Sequence, residues 1–209
     1  MELIAHRAGN SVSTIDRAAA VADSIEVDVH LHLGRLEVRH AKILLWPFSR
    51  LWERWELLPA DAPRPAFGEI LADVPDDVRL WIDLKGFTSR LPRAVVGVLG
   101  ERPGTTWSAR QWWVLRWVRA TSDDRTMKSV GSRWQRWLVA RTGVVDDAHG
   151  IVVHERLVDD VWLERFRRIT PNVVVWGVRD AARAEELRRA GVSGLILDDL
   201  GLIGALSER

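Results

Sequence analysis

The sequence predicts an α/β protein, a closed (β/α)8 barrel, on three observations. Eight short apolar runs recur along 209 residues with helix-like segments between them, the alternation that builds parallel strands and covering helices. Several runs end in His, Asp, Glu or Lys, and in such a barrel the C-terminal strand ends build the site. The chain is 47% hydrophobic, enough for a sizeable core in one domain spanning 1–209, although the length lies near the lower limit of this fold. An open doubly wound sheet is the alternative arrangement.

The elements follow in order. "ELIA" (2–5) reads as a strand that delivers His6 and Arg7, and "STIDRAAAVA" as a helix with Thr14 as its N-cap. "IEVDV" (25–29) alternates strictly and continues through "HLGRL", a turn, into a return strand "LEVRH". Residues 41–65 hold no obvious element, and long connections of this kind in compact domains are often functional. "PAFGEILADV" is the next helix. Then come the strand "RLWIDLK" (79–85) and the helix "SRLPRAVVGVLG", "TTWSA" (105–109) and "RQWWVLRWVRA", and "TMKSV" (126–130) and "GSRWQRWLVART". The series closes with "GIVVH" (150–154) and "VDDVWLERFRRI", "NVVVW" (172–176) and "DAARAEELRRAG", and finally "GLILD" (194–198). Asp180 is placed to cap the last of these helices and Gly191 to end it.

Composition narrows the chemistry. With 30 basic and 29 acidic residues the net charge is +1, so no basic excess points to nucleic acid. Cysteine is absent, which leaves no disulfide framework and no thiolate metal site. A metal site must use His, Asp and Glu, a donor set that favours Mg²⁺ or Ca²⁺, with Mn²⁺ a third candidate. The N-terminus "MELIAHRAGN" lacks a basic segment followed by an apolar run, and no apolar run is long enough to span a bilayer. A cytoplasmic protein is the expectation.

The strand with the sharpest alternation sets the central problem. In "SIEVDVHLH", Glu26, Asp28, His30 and His32 share one parity, and Val27, Val29 and Leu31 the other. Strands of a parallel sheet covered on both faces are usually apolar throughout, and unpaired buried carboxylates are costly. A metal ion or cationic partners would resolve the cost; so would an antiparallel edge hairpin with one wet face. "RLWIDLKG" repeats the device, with Asp83 and Lys85 on one parity, and His40 ends the return strand. Taken alone, Asp83 reads as a salt-bridge partner of Lys85. The convergence of three carboxylates, two imidazoles and two cations on one mouth favours a functional site.

These residues resemble the glycerophosphodiester phosphodiesterase family, whose (β/α)8 TIM barrel is related to the phosphoinositide-specific phospholipase C barrels. The likeness rests on an ordered set of motifs from residue 3 to about 199. "AHRAG" stands for His-Arg-Gly, "IEVDV" for E-x-D-V, "GRLEVRH" for the hairpin before the second His and "WIDLKG" for E-x-K. "VVVWGVRD" stands for the Trp-x-Val ending and "GVSGLILDD" for the closing motif. Departures mark a divergent member: Ala8 in place of Gly (or the Gly displaced to Gly9), "NSVSTID" in place of P-E-N-T, Ala41 in place of Asp, and Asp83 in place of Glu.

The resemblance implies roles. Glu26, Asp28 and Asp83 would hold a divalent metal. His6 and His40 would form the acid/base pair, with His6 as base and His40 as acid, because phosphodiester cleavage takes one proton from the nucleophile and gives one to the leaving alkoxide. Arg7 and Lys85 would bind the phosphate oxygens, and Trp176 would wall the glycerol moiety; core packing is the plainer role for Trp176. His30, His32, His149 and His154 read as structural, with His32 a spare candidate. The implied activity is metal-dependent hydrolysis of a glycerophosphodiester to an alcohol and glycerol 3-phosphate. The alternatives are phospholipase D-like action on lysophospholipid or sphingolipid head groups, and a catalytically silent barrel that binds phosphate or lipid.

Tryptophan is over-represented, with 12 Trp and no Tyr. Six of them lie within 107–137, interleaved with arginines. Such a mixture marks either outer helices packed on strands or a membrane-surface contact. The sequence carries no signal for oligomeric state.

Overall fold

The computed structural model describes residues 1–43, 51–53, 56–58, 62, 64–144 and 148–208. The strands are β1 (Glu2–Ala5), β2 (Ser24–His32), β3 (Arg35–Val38), β4 (Lys42–Ile43), β5 (Leu51–Glu53), β6 (Glu56–Leu58), β7 (Arg79–Leu84), β8 (Thr106–Ala109), β9 (Arg125–Val130), β10 (Gly150–His154), β11 (Val173–Val178) and β12 (Gly194–Leu197). The helices are α1 (Val12–Ala19), α2 (Phe67–Asp73), α3 (Arg90–Leu99), α4 (Leu115–Arg119), α5 (Arg133–Thr142), α6 (Asp160–Ile169), α7 (Ala181–Arg189) and α8 (Leu200–Ser207).

Eight strands, β1, β2 and β7 to β12, pair in parallel in sequence order, and β1 pairs with both β12 and β2. The sheet therefore closes into a (β/α)8 TIM barrel, as the alternation predicts. Outward strand residues such as Ile25, Val27, Ile82 and Val153 pack beneath the helices in the main core. Inside the barrel Ile4, Trp81, Met127, Val152, Val174 and Ile196 form a second apolar layer on which Trp176 rests. Below that layer Glu2 accepts from Ser24 and pairs with Arg125, so ion pairing closes the barrel floor.

β2 reconciles the two readings of its alternation. Its first six residues pair in parallel with β7, which turns Glu26 and Asp28 to the barrel interior, and its last residues pair antiparallel with β3 as a hairpin. The hairpin turns through Leu33 and Gly34, both at positive φ (48° and 83°).

Three expectations need correction. The N-cap of α1 is Ser11, and Thr14 lies inside the helix with its hydroxyl donating to the carbonyls of Ala8 and Ser11. Residues 41–65 are not without elements, since β4, β5 and β6 form a three-stranded antiparallel sheet; the rest of that stretch lies mostly outside the described residues. Helix α8, capped by Asp199, follows the last strand where none was expected. Asp180 does cap α7, and Gly191 follows that helix at φ 73°. No helix among the described residues is long and apolar enough to cross a membrane.

Candidate active site

The eight residues singled out in the sequence come together at the C-terminal end of the barrel. Seven of them, His6, Arg7, Glu26, His40, Asp83, Lys85 and Trp176, line one pocket. Asp28, fully buried, touches two of these linings.

Glu26, Asp28 and Asp83 are brought together by strand register. Asp28 is the parallel partner of Asp83, and one oxygen of each carboxylate lies within 4.8 Å of the others. Lys85 reaches back to both, with Nζ 2.9 Å from Asp28 Oδ1 and hydrogen-bonded to Asp83. Asp83 is thus an ion-pair partner of Lys85, as its spacing alone suggests, and also a member of the carboxylate cluster. A short relay orients it: Trp81 donates to Ser108 Oγ at 3.0 Å, and Ser108 donates to Asp83 Oδ1 at 2.9 Å. Asn10 grips Asp28 twice, accepting from its backbone N–H and donating to Oδ2, each at 2.8 Å.

The electrostatics divide the three acids. Burial opposes ionisation of Asp28, but Lys85, His40 and the hydrogen bonds from Lys85 and Asn10 outweigh it and hold the carboxyl down to about 2. Glu26 goes the other way: burial pushes it up to about 7, with His6 pulling it down and Asp28 and Asp83 pushing it further up. Burial acts against Lys85 too, but the three carboxylates raise its pKa regardless. Three hard oxygen donors in a buried cluster, one of them too poor in cationic partners to ionise readily, fit a divalent ion such as Mg²⁺, Ca²⁺ or Mn²⁺.

The first turn after β1 supplies His6 and Arg7. Arg7 adopts a left-handed conformation (φ 56°, ψ 13°), uncommon without glycine and of a kind that clusters at active sites. Its backbone N–H donates to Glu26 Oε2 at 3.2 Å, and its Nε lies 3.7 Å from Asp28 Oδ2. Gly9, not residue 8, is the glycine this turn requires: a Cβ there would sit 2.3 Å from Val27 Cγ2.

His6 is held from both sides. Its Nδ1 donates to Asp198 Oδ1 at 2.6 Å, and its Nε2 lies 3.4 Å from Glu26 Oε2. Burial would lower the imidazole pKa, but Glu26 and the hydrogen bond to Asp198 more than offset it, and the pKa rises. Asp198, 192 residues away in sequence, is the partner that sequence reasoning missed; its only sequence signal is its place at the end of "GLILD".

His40 is positioned by Arg39. That guanidinium donates to the Glu37 carboxylate at 3.0 Å and to the Ala41 carbonyl, tying the chain on both sides of His40. Val38 also donates to the Pro65 carbonyl at 2.9 Å. Trp176 stands before a bulge at Gly177 (φ 83°) and packs on His154, with ring centres 4.2 Å apart. Three of the other histidines have structural surroundings: His149 accepts from Thr126 N–H, His154 from Arg156 N–H, and burial pushes His30 down to about 3.

No protein-family model matches the chain, and no curated protein matches it. Solved structures do. A phosphodiesterase of Oleispira antarctica, in complex with the product sn-glycerol-3-phosphate, is 17% identical with a TM-score of 0.76 over 100% of this chain and 97% of its own. A glycerophosphodiester phosphodiesterase of Thermotoga maritima is 19% identical with a TM-score of 0.71, covering 99% of this chain and 98% of its own. Another, from Agrobacterium tumefaciens, is 19% identical with a TM-score of 0.68, covering 98% and 99%. At these identities the likeness establishes the fold along the whole chain, and the Thermotoga maritima and Agrobacterium tumefaciens neighbours bear the family name to which the sequence motifs point.

Proposed function

We propose that the protein is a divalent-metal-dependent phosphodiesterase that hydrolyses glycerophosphodiesters to an alcohol and glycerol 3-phosphate. The observation that carries this reading is the meeting of Glu26, Asp28 and Asp83 with His6, His40, Arg7 and Lys85 around one pocket. That the Oleispira antarctica neighbour holds sn-glycerol-3-phosphate supports the substrate class.

Glu26, Asp28 and Asp83 hold the metal, Mg²⁺ or Ca²⁺ with Mn²⁺ a third candidate. When bound it supplies Lewis-acid polarisation of the phosphoryl group. Arg7 holds a non-bridging phosphate oxygen and offsets charge in the transition state; Lys85 does the same from the opposite wall. Asp198 fixes the Nδ1 proton of His6, which leaves Nε2 as the atom that exchanges a proton with the substrate. His40 carries the complementary proton transfer. Trp176 offers a flat apolar face to the glycerol carbons. His6 acts as the base and His40 as the acid.

The test is a coupled assay for glycerol 3-phosphate released from glycerophosphocholine, run with Mg²⁺, Ca²⁺ or Mn²⁺ and with EDTA. Product only in the presence of metal supports the reading. Choline-free, phosphate-free silence under every metal, by a protein that melts cooperatively, refutes it in favour of a binding barrel. Release from lysophospholipids but not from glycerophosphocholine moves the substrate to lipid head groups.

A further inference from the structure

We propose that the rim of the barrel mouth is a docking surface for an anionic lipid bilayer. The inference goes beyond the phosphodiesterase reading and does not depend on it, because it stands on exposed side chains outside the pocket.

Nine large apolar side chains are exposed among the described residues. Only Met1, before β1, and Val98, near the end of α3, lie away from the mouth. The other seven stand on connections that follow barrel strands or in the first half of the helix that comes next. Four of them form an arc: Leu33 follows β2, Phe87 follows β7, Trp113 follows β8 and Trp134 follows β9, and these four strands are consecutive neighbours in the barrel. Trp137 extends the arc, stacked on Trp134 with ring centres 5.0 Å apart. Gln135 of α5 donates to the Arg110 carbonyl at 3.1 Å, which joins the last two connections into one surface. Leu33 is 94% exposed at the tip of its hairpin, where it gains nothing from the core.

Charge tells what covers this arc. The stretches 110–117 and 131–137, which follow β8 and β9 and carry Trp113, Trp134 and Trp137, hold Arg110, Arg116, Arg133 and Arg136 and no acidic residue. Arg110, Arg116 and Arg133 are exposed beside the tryptophans. The helix-capping acids Asp159, Asp180 and Asp199 lie instead on the side of the mouth built by β10 to β12. A one-sided mixture of Trp, Phe, Leu and Arg fits a bilayer interface: rings and aliphatic chains enter the headgroup boundary while guanidiniums meet lipid phosphates. The charge split tilts the barrel so that the edge built by β2 and β7 to β9 goes down and the acidic edge stays in water.

The experiment is vesicle co-sedimentation with phosphatidylcholine, with and without phosphatidylglycerol, read as bound protein and as tryptophan emission, with no turnover measured. Wild type is expected to bind the phosphatidylglycerol vesicles with a blue-shifted emission. The double variant Trp113→Ala/Trp134→Ala and the double variant Arg116→Glu/Arg133→Glu should each weaken binding by about tenfold or more, while melting like wild type. Failure of the folded wild type to bind overturns the proposal, as does binding that both variants leave unchanged. A lipid-independent dimer in sedimentation velocity, lost in Trp113→Ala/Trp134→Ala, also overturns it and assigns the arc to a second copy of the chain.

Discussion

Asp28 and Asp83 face one another as register partners on adjacent parallel strands, and a single ammonium, Lys85, bonds to both. Two buried like charges in that position are stable only with cations between them. The third acid, Glu26, shares the cluster but has His6 as its nearest cationic partner. The site is therefore built to accept more positive charge than the chain supplies.

Removing one acid tests that design. Glu26→Ala and Asp28→Ala are expected to abolish metal-dependent turnover, a loss of at least about 10²-fold, while the barrel still melts cooperatively. Glu26→Ala leaves a small gap at the mouth, whereas Asp28→Ala also takes a partner from Lys85, Arg7 and Asn10, so its melting temperature should fall further. Turnover assayed across a metal titration decides: wild-type rates at saturating metal in either variant rule out a ligand role.

In the metal-free protein the contribution of Glu26 and His6 to stability should fall as pH rises. Glu26 is raised from an ordinary 4.5 to about 7, and His6 is raised above its ordinary 6.5. Both bind a proton more tightly when folded, so their contribution is complete below the unfolded values and is lost as pH climbs through the folded ones. Asp28, held at about 2, has the opposite sign but acts only below about pH 4; His30, pushed down to about 3, and His149 and His154, also lowered by burial, add stability as pH rises through the ordinary imidazole range, so the Glu26 contribution is read as a difference between wild type and a Glu26 variant. EDTA-treated wild type is expected to lose on the order of 1–3 kcal/mol relative to Glu26→Gln between about pH 5 and pH 8, the slope that Glu26 carries. Glu26→Gln should flatten that slope, and added Mg²⁺ should restore more stability at the higher pH. Thermal melts across this range check it; a wild-type slope that Glu26→Gln leaves unchanged excludes Glu26 as the source.

The two histidines should produce a bell-shaped dependence of kcat/KM on pH. His6→Ala and His40→Ala are each expected to cost on the order of 10²- to 10⁴-fold on glycerophosphodiesters. A p-nitrophenyl leaving group departs without protonation, so it should rescue the variant of the general acid, His40→Ala, and not His6→Ala. Near wild-type activity of His40→Ala on glycerophosphodiesters would turn attention to His32.

Asp198→Asn should lower kcat by about tenfold or more with little change in KM, and shift the pH limb assigned to His6 downwards. The asparagine keeps a hydrogen bond to Nδ1 but removes the charge. A loss confined to stability, with an unmoved pH profile, would make Asp198 merely structural.

The barrel was legible because its information is local. Strict alternation in "SIEVDVHLH" placed Glu26 and Asp28 on one face, and the pleat does the same. Helix α8 was not legible because "LGLIGALS" is apolar nearly throughout, with two glycines and no polar stripe to show a helical period. Thr14 has the residue type of a cap, but Ser11, three positions earlier, takes that place through its extended backbone, without a side-chain capping bond. The eight site residues could be named from strand ends and motif resemblance, but their partners could not. The Asp198–His6 bond, the double grip of Asn10 on Asp28 and the Trp81–Ser108–Asp83 relay join residues distant in the chain, and only barrel closure brings them together.

The central claim, metal-dependent attack of water on phosphorus at this site, is tested most directly by ³¹P NMR of glycerophosphocholine turnover in H₂¹⁸O, before and after metal removal. The account predicts glycerol 3-phosphate with ¹⁸O on its phosphate, unlabelled choline, and no product once EDTA has removed the metal. Phosphocholine and glycerol as products, label in choline, or undiminished turnover without metal would contradict it.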